Sequence, residues 1–137
     1  MSTSQINLTW ADNSNNETGF IVERSLNGST GWAQIATPAA NATTYSDTGL
    51  AASTQYFYRV RATNAGGDSA YTDVASSPTL PQAPADVTAT AVSTGRVNLA
   101  WTAVSGATGY SVERSGDDGD HWTVLGTSET AAYSDFT

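Results

Sequence analysis

One stretch of sequence occurs twice in this chain, about 90 residues apart, and the second copy breaks off early. Ile6-Asn7-Leu8-Thr9-Trp10 returns as Val97-Asn98-Leu99-Ala100-Trp101, with Trp101 standing 91 residues after Trp10. Gly19-Phe20-Ile21-Val22-Glu23-Arg24-Ser25 returns as Gly109-Tyr110-Ser111-Val112-Glu113-Arg114-Ser115, an offset of 90. Trp32 returns as Trp122, and Tyr45-Ser46-Asp47 returns 88 residues later as Tyr133-Ser134-Asp135. A period of that length is a domain rather than a solenoid unit. Beyond Asp47 the first copy continues through about 30 more residues of strand-like sequence, whereas the second stops at Thr137.

Helical periodicity is absent and period-two alternation recurs throughout. Ile6, Leu8 and Trp10 alternate with polar residues, and Phe20 and Val22 alternate with Ile21 and Glu23, so each run predicts a half-buried strand. Leu26-Asn27-Gly28-Ser29 is a hairpin signal, with Trp32 and Ile35 on the returning strand. Thr43 to Ser46 reads as a short strand closed by a turn at Asp47-Thr48-Gly49. In Gln55 to Thr63, Tyr56, Tyr58, Val60 and Ala62 share one face and Phe57, Arg59 and Arg61 the other. That is a central strand with one wet face. Asn64 to Asp68 predicts a Gly-rich loop and Tyr71 to Ala75 a return strand. Three prolines between Ser77 and Pro84 stiffen a linker and remove ladder donors. The reading is a first unit over 4–77, a linker over 78–84 and a partial second unit over 85–137.

Composition narrows the function classes. The formal net charge is −8, from 13 acidic residues against five arginines. Such a chain is repelled by phosphate backbones and anionic lipid, which argues against nucleic-acid and membrane partners. There is no cysteine, hence no disulfide, zinc-thiolate site or thiol nucleophile. No run of 18 apolar residues predicts a membrane span. Met1 to Ile6 lacks the basic and apolar parts of a signal peptide, so a secreted parent is expected to extend upstream.

These residues resemble fibronectin type III modules of the kind strung along large secreted bacterial proteins. The resemblance rests on Leu8-Thr9-Trp10 and Leu99-Ala100-Trp101, on the two Gly-aromatic-x-Val-Glu-Arg runs, and on Leu50, Thr54 and Tyr56, which match the family's tyrosine corner. It rests also on Pro84-Ala85-Asp86-Val87, which matches the start of strand A. It implies an all-β, immunoglobulin-like Greek-key sandwich, A-B-E packed on C′-C-F-G. The implied core is Leu8, Trp10, Phe20, Val22, Trp32, Leu50, Tyr56, Tyr58 and Val60 in the first module. In the second it is Leu99, Trp101, Tyr110, Val112, Trp122 and Tyr133. On this mapping the first module lacks strand A and the second lacks F and G. Loss of three inward side chains from F forfeits about 5–8 kcal/mol, against about 5–15 kcal/mol for a whole domain. Three explanations stand open. The chain is a fragment of a longer array; another chain completes the second module by strand addition; or residues 85–92 fold back as strand A of the first.

No chemical constellation stands out. The single histidine, His121, lies in a turn, and its counterpart is Gly31. No serine sits in Gly-x-Ser-x-Gly, and paired carboxylates would need a cleft. Asp117, Asp118 and Asp120 lack the spacing and distal Glu of a calcium loop, Asp12, Ser14, Asn16 and Glu17 lack its Gly, and both sets read as solvated turns. Sequons at Asn7, Asn16, Asn27 and Asn41 follow from an Asn/Thr-rich composition. The family's Arg-Gly-Asp adhesion motif is not present in Ala65 to Ser69. Ile21, Phe57, Arg59 and Arg61 form the candidate interaction face. The expectation is therefore a non-catalytic, extracellular spacer array with no cofactor. Its partners would be neighbouring modules, another copy of the chain, or a protein or glycan ligand. The alternatives are a fibre-forming or adhesive module and an accessory module of a secreted polysaccharide-degrading enzyme.

Overall fold

The structure is a computed structural model and describes residues 1–136. It contains two compact units that divide between Leu80 and Pro81. Among the described residues, all regular structure in both is β.

The first unit comprises β1 (Gln5–Thr9), β2 (Gly19–Ser25), β3 (Ala33–Ala36), β4 (Thr44–Thr48), β5 (Gln55–Asn64), β6 (Gly67–Asp68) and β7 (Ala75–Pro78). β1 pairs β4 in one sheet, and the other runs β3-β2-β5, with β6 and β7 both on the far side of β5. This is the B-E on C′-C-F-G plan that the resemblance implied. The alternation read in Gln55 to Thr63 holds: Tyr56, Tyr58 and Val60 are buried and the residues between them are not. Ile6, Leu50, Tyr56 and Tyr58 form one cluster, and Phe20, Val22 and Val60 a second, with Leu8 and Ile35 packed on both. Tyr56 closes the tyrosine corner by accepting the Ala51 N–H at 3.1 Å.

Three local readings are corrected. The return strand is not Tyr71 to Ala75 but β7, which begins at Ala75. Between β6 and β7, the Ser69 and Thr72 hydroxyls accept the N–H groups of Ala62 and Val60. Their own N–H groups donate to the carbonyls of the same two residues. Side chains thus stand in for part of the ladder, and the backbone leaves regular strand geometry. Asp47 is not a turn residue; it lies inside β4 and is buried. Pro78 ends β7, and Thr79 is buried, its N–H donating to Thr54 O and its Oγ1 accepting from Thr54 N. Leu80 N bonds Ser2 O. The first unit therefore holds the chain to Leu80, and only Pro81 to Pro84 remain before the next strand.

The second unit comprises β8 (Ala85–Ser93), β9 (Arg96–Thr102), β10 (Tyr110–Arg114), β11 (Thr123–Ser128) and β12 (Ala132–Phe136). Its sheets are β12-β9-β8 and β10-β11. β8 lies on β9, so residues 85–92 do not fold back onto the first unit. The registers repeat along with the sequence. Ile6↔Asp47 and Leu8↔Tyr45 in β1–β4 become Val97↔Asp135 and Leu99↔Tyr133 in β9–β12. Val112 is the one buried apolar residue of this unit among those described.

Candidate functional site

The outer face of the β3-β2-β5 sheet groups charged and aromatic side chains of the first unit. Antiparallel pairing sets Glu23 directly opposite Arg59, Ile21 opposite Arg61 and Ser25 opposite Phe57. Arg59 donates from Nε to Glu23 Oε2 at 2.7 Å, and its Nη2 lies 2.6 Å from the same oxygen. The guanidinium carbon then sits 4.3 Å from the Trp32 ring centre and 3.8 Å from that of Tyr71. Arg61 is 4.7 Å from the Tyr71 ring centre and pairs with Asp68 at 3.0 Å. The result is a ladder, Trp32–Arg59–Tyr71–Arg61, with each arginine held by a carboxylate. Cation–π contact of this kind explains why Tyr71 leaves the strand path: its ring covers two arginines.

The sequence reading grouped Ile21, Phe57, Arg59 and Arg61 as a candidate interaction face. The structure arranges them differently. Phe57 lies under the β2–β3 turn, where a Cβ added at Gly28 would stand 2.7 Å from its ring. Ile21 is half-buried, and both arginines are ion-paired. What this face presents is the part-buried ladder itself. Beside it lies a depression of about 420 Å³ lined by Trp10, Ser14, Phe20, Arg61, Ser69 and Tyr71. Trp10 Nε1 and Arg61 Nε are buried there without a hydrogen-bond partner.

A second polar node is buried between the sheets. Asp47 accepts from Arg24 Nη1 at 2.9 and 3.1 Å and from the Tyr58 hydroxyl at 3.0 Å. Burial, then the bond to Asp47, pushes the Tyr58 phenol well above its ordinary range. Desolvation works against the charged form of Arg24, but Asp47 outweighs it and the guanidinium is held above its usual value. Arg114 and Asp135 repeat the ion pair in the second unit at 2.9 Å. Both the Val-Glu-Arg and the Tyr-Ser-Asp motifs are visible twice in the sequence. Their joint repetition was the signal that they touch.

The predicted core of the first module is buried or half-buried throughout. In the second, Leu99, Trp101, Tyr110 and Tyr133 are half-buried, and Trp122 is corrected: it is 61 % exposed. Its counterpart Trp32 is covered by Arg59, which reaches across β2 from β5. Among the described residues no strand lies on that side of β10, and Glu113, counterpart of Glu23, has no ion-pair partner. The indole Nε1 of Trp122 donates to Gly119 O instead.

His121 meets one acid. Its Nδ1 contacts Asp117, whose other oxygen accepts from Ser115 Oγ. The Ser115 bond is the main cause that holds the Asp117 carboxyl below its ordinary range. Here the acid stands between serine and histidine, so the imidazole cannot take the hydroxyl proton as a nucleophilic triad requires. Among the described residues no group of three or more His, Asp or Glu side chains is placed to hold a metal.

Comparison with known proteins agrees with this architecture. The chain is 35 % identical over 109 residues to exoglucanase B of Cellulomonas fimi, a match covering 69 % of this chain and 9 % of that enzyme. The chain thus spans about a tenth of its relative. A two-fibronectin type III domain segment of chicken tenascin superposes with a TM-score of 0.61 at 15 % identity, covering 98 % of this chain and 77 % of that one. A β-1,2-glucanase from Parabacteroides distasonis superposes with a TM-score of 0.54 at 19 % identity, over 60 % of this chain and 12 % of the glucanase. At those identities the two structures show the fold alone. The model of the fibronectin type III domain matches residues 1–77, more than half of the chain, and the chain belongs to the fibronectin type III family.

Proposed function

We propose that this chain is a non-catalytic spacer segment of a secreted, multidomain polysaccharide-degrading enzyme. The identity to exoglucanase B, of which it matches a small part, carries the reading. The site chemistry supports it. Arg24, Arg59 and Arg61 are all committed to carboxylates of their own unit, and the Ser115–Asp117–His121 contact has the wrong order for catalysis. Such residues hold a shape rather than turn over a substrate. The test has two arms. The purified chain is incubated with soluble β-glucan and with insoluble cellulose, and reducing ends and cellulose-retained protein are measured. A spacer releases no sugar and stays in the supernatant. Sugar release would make it an enzyme, and retention on cellulose would make it a substrate-binding module.

One observation favours a second reading, an interaction module completed by strand addition. Trp122 and Val124 lie 61 % and 60 % exposed beside the unpaired Glu113, where the first unit places an arginine-bearing strand. A peptide with the sequence of β5 tests it. Quenching or a blue shift of Trp122 fluorescence supports the reading, and an unchanged spectrum at millimolar peptide removes it.

A further inference from the structure

The first unit grips its outgoing chain beyond the end of its last strand. β7 ends at Pro78, which has no N–H to carry the ladder further. The chain nevertheless stays on the unit for two more residues, Thr79 and Leu80. It does so through residues 49–54, the loop that joins β4 to β5.

Thr79 is the centre of this contact. It is only 4 % exposed, although it is polar and stands at the margin of the unit. Its hydroxyl donates to Ala51 O at 2.6 Å and accepts from Thr54 N at 3.1 Å, so both of its hydrogen-bonding functions are used. Its own N–H donates to Thr54 O at 3.0 Å. Leu80 is then held by two single main-chain bonds, donating to Ser2 O at 2.9 Å and accepting from Ser53 N at 3.1 Å. Ser53 adopts a φ of 50°, which an L residue holds only where its surroundings impose it. In that geometry its N–H reaches Leu80 O.

The contact is also joined to the core. The buried Tyr56 accepts from Ala51 N through its hydroxyl, and Thr79 donates to Ala51 O. One loop residue is thus gripped at its N–H from within the sandwich and at its carbonyl from the outgoing chain. Beyond Leu80, Pro81 to Pro84 are all exposed.

We propose that Thr79 is a latch that sets the length and stiffness of the tether leaving the first unit. Closed, it leaves four free residues, Pro81 to Pro84, which span about 13 Å at full extension; released, the tether grows to six residues and about 20 Å. Two of the four residues in the closed tether are prolines, which restrict it, whereas Thr79 and Leu80 add freely rotating backbone. Thr79 is a positioning residue here: it keeps the chain against the loop so that the bonds of Leu80 can form. The latch does not depend on the chain being a spacer. Retention on cellulose would end that reading and leave the latch untouched.

Thr79→Val keeps the shape of the side chain and removes the hydroxyl, while Thr79→Ser keeps the hydroxyl. Each is made in the full chain, with and without Gln82→Cys carrying a nitroxide; Gln82 is exposed and the chain has no cysteine of its own. The informative amides are those of Ser53 and Leu80, because neither bonds the Thr79 hydroxyl. In Thr79→Val they are expected to exchange at least about tenfold faster than in the parent chain, with Val22 and Val60 unchanged, and the nitroxide spectrum to narrow. Thr79→Ser is expected to match the parent in both readouts. Unchanged exchange at Leu80 or an unchanged nitroxide spectrum in Thr79→Val would overturn the proposal. So would equal loosening by Thr79→Ser. Exchange that rises at Val22 and Val60 together with Leu80 would overturn it too, because that is loss of the fold and not release of a tether.

Discussion

Replacing Asp47 by alanine removes the one acceptor shared by Arg24 and Tyr58, and the two donors do not suffer equally. Arg24 keeps a third of its side chain in solvent and rehydrates, so its lost ion pair costs about 0.5–1 kcal/mol. The Tyr58 hydroxyl belongs to a residue only 2 % exposed and is stranded without a partner, at about 1–3 kcal/mol. The sum is about 1.5–4 kcal/mol, and at about 3 kcal/mol a unit of this size loses about 12–24 °C in Tm. Thermal unfolding followed by tryptophan fluorescence reads it. Tyr58→Phe supplies the control. Added to Asp47→Ala, it removes the stranded hydroxyl and restores about 1–2 kcal/mol. The repeat gives an internal comparison. Asp135→Ala disturbs only Arg114, whose side chain is 47 % exposed, and costs about 0.5–1 kcal/mol. The reasoning fails if Asp47→Ala costs less than about 0.5 kcal/mol, or if the double variant is destabilised by the sum of the two single changes.

Stability should also depend on alkaline pH through Tyr58. Its folded phenol pKa is raised, so its contribution is complete below the ordinary value of about 10 and is lost as pH rises beyond it, by up to about 1.4 kcal/mol per pH unit. Denaturant titrations at pH 8 to 11 measure the slope, and Tyr58→Phe should flatten it. Arg59→Met opens the sandwich between Trp32 and Tyr71, with an expected loss of about 1–2 kcal/mol and a red shift of Trp32 emission. Gly28 and Gly31 both have positive φ, but only at Gly28 does an added Cβ meet Phe57. Gly31→Ala should cost about 1 kcal/mol in chemical denaturation, and Gly28→Ala clearly more. Ser115→Ala removes the leading cause of the low Asp117 pKa, so carboxyl NMR should show Asp117 titrating closer to its ordinary value.

What the sequence revealed depended on the range of the interaction. The alternation in β5 was legible because burial on one face of a strand acts on every second residue. The Asn27-Gly28 turn was legible because it needs only four adjacent residues. Asp47 was misread for the opposite reason. Its neighbours Thr48 and Gly49 resemble a turn, while the partner that buries it lies 23 residues away on the facing sheet. Tyr71 has a strand-forming side chain, yet its place is set by Arg59 and Arg61 on β5, and the Ser69 and Thr72 hydroxyls make that detour affordable. Trp122 was assigned to the core by analogy with Trp32. Exposure there is decided by whether a guanidinium lies across the ring, and no local pattern around Trp122 encodes that. The interaction face was half legible: alternation put Phe57, Arg59 and Arg61 on one side, but not the turn that shields Phe57.

The central claim is that one strand plan is written twice and that, among the described residues, the strand β5 that covers β2 in the first unit has no counterpart beside β10 in the second. Native-state hydrogen exchange tests it residue by residue in a single sample. Amides of Val22, Tyr58 and Val60 should exchange only by global unfolding of the first unit, while those of Trp101 and Val112 exchange at least about 100-fold faster, a difference of about 2.7 kcal/mol. Equal protection at the two sets of positions would contradict it.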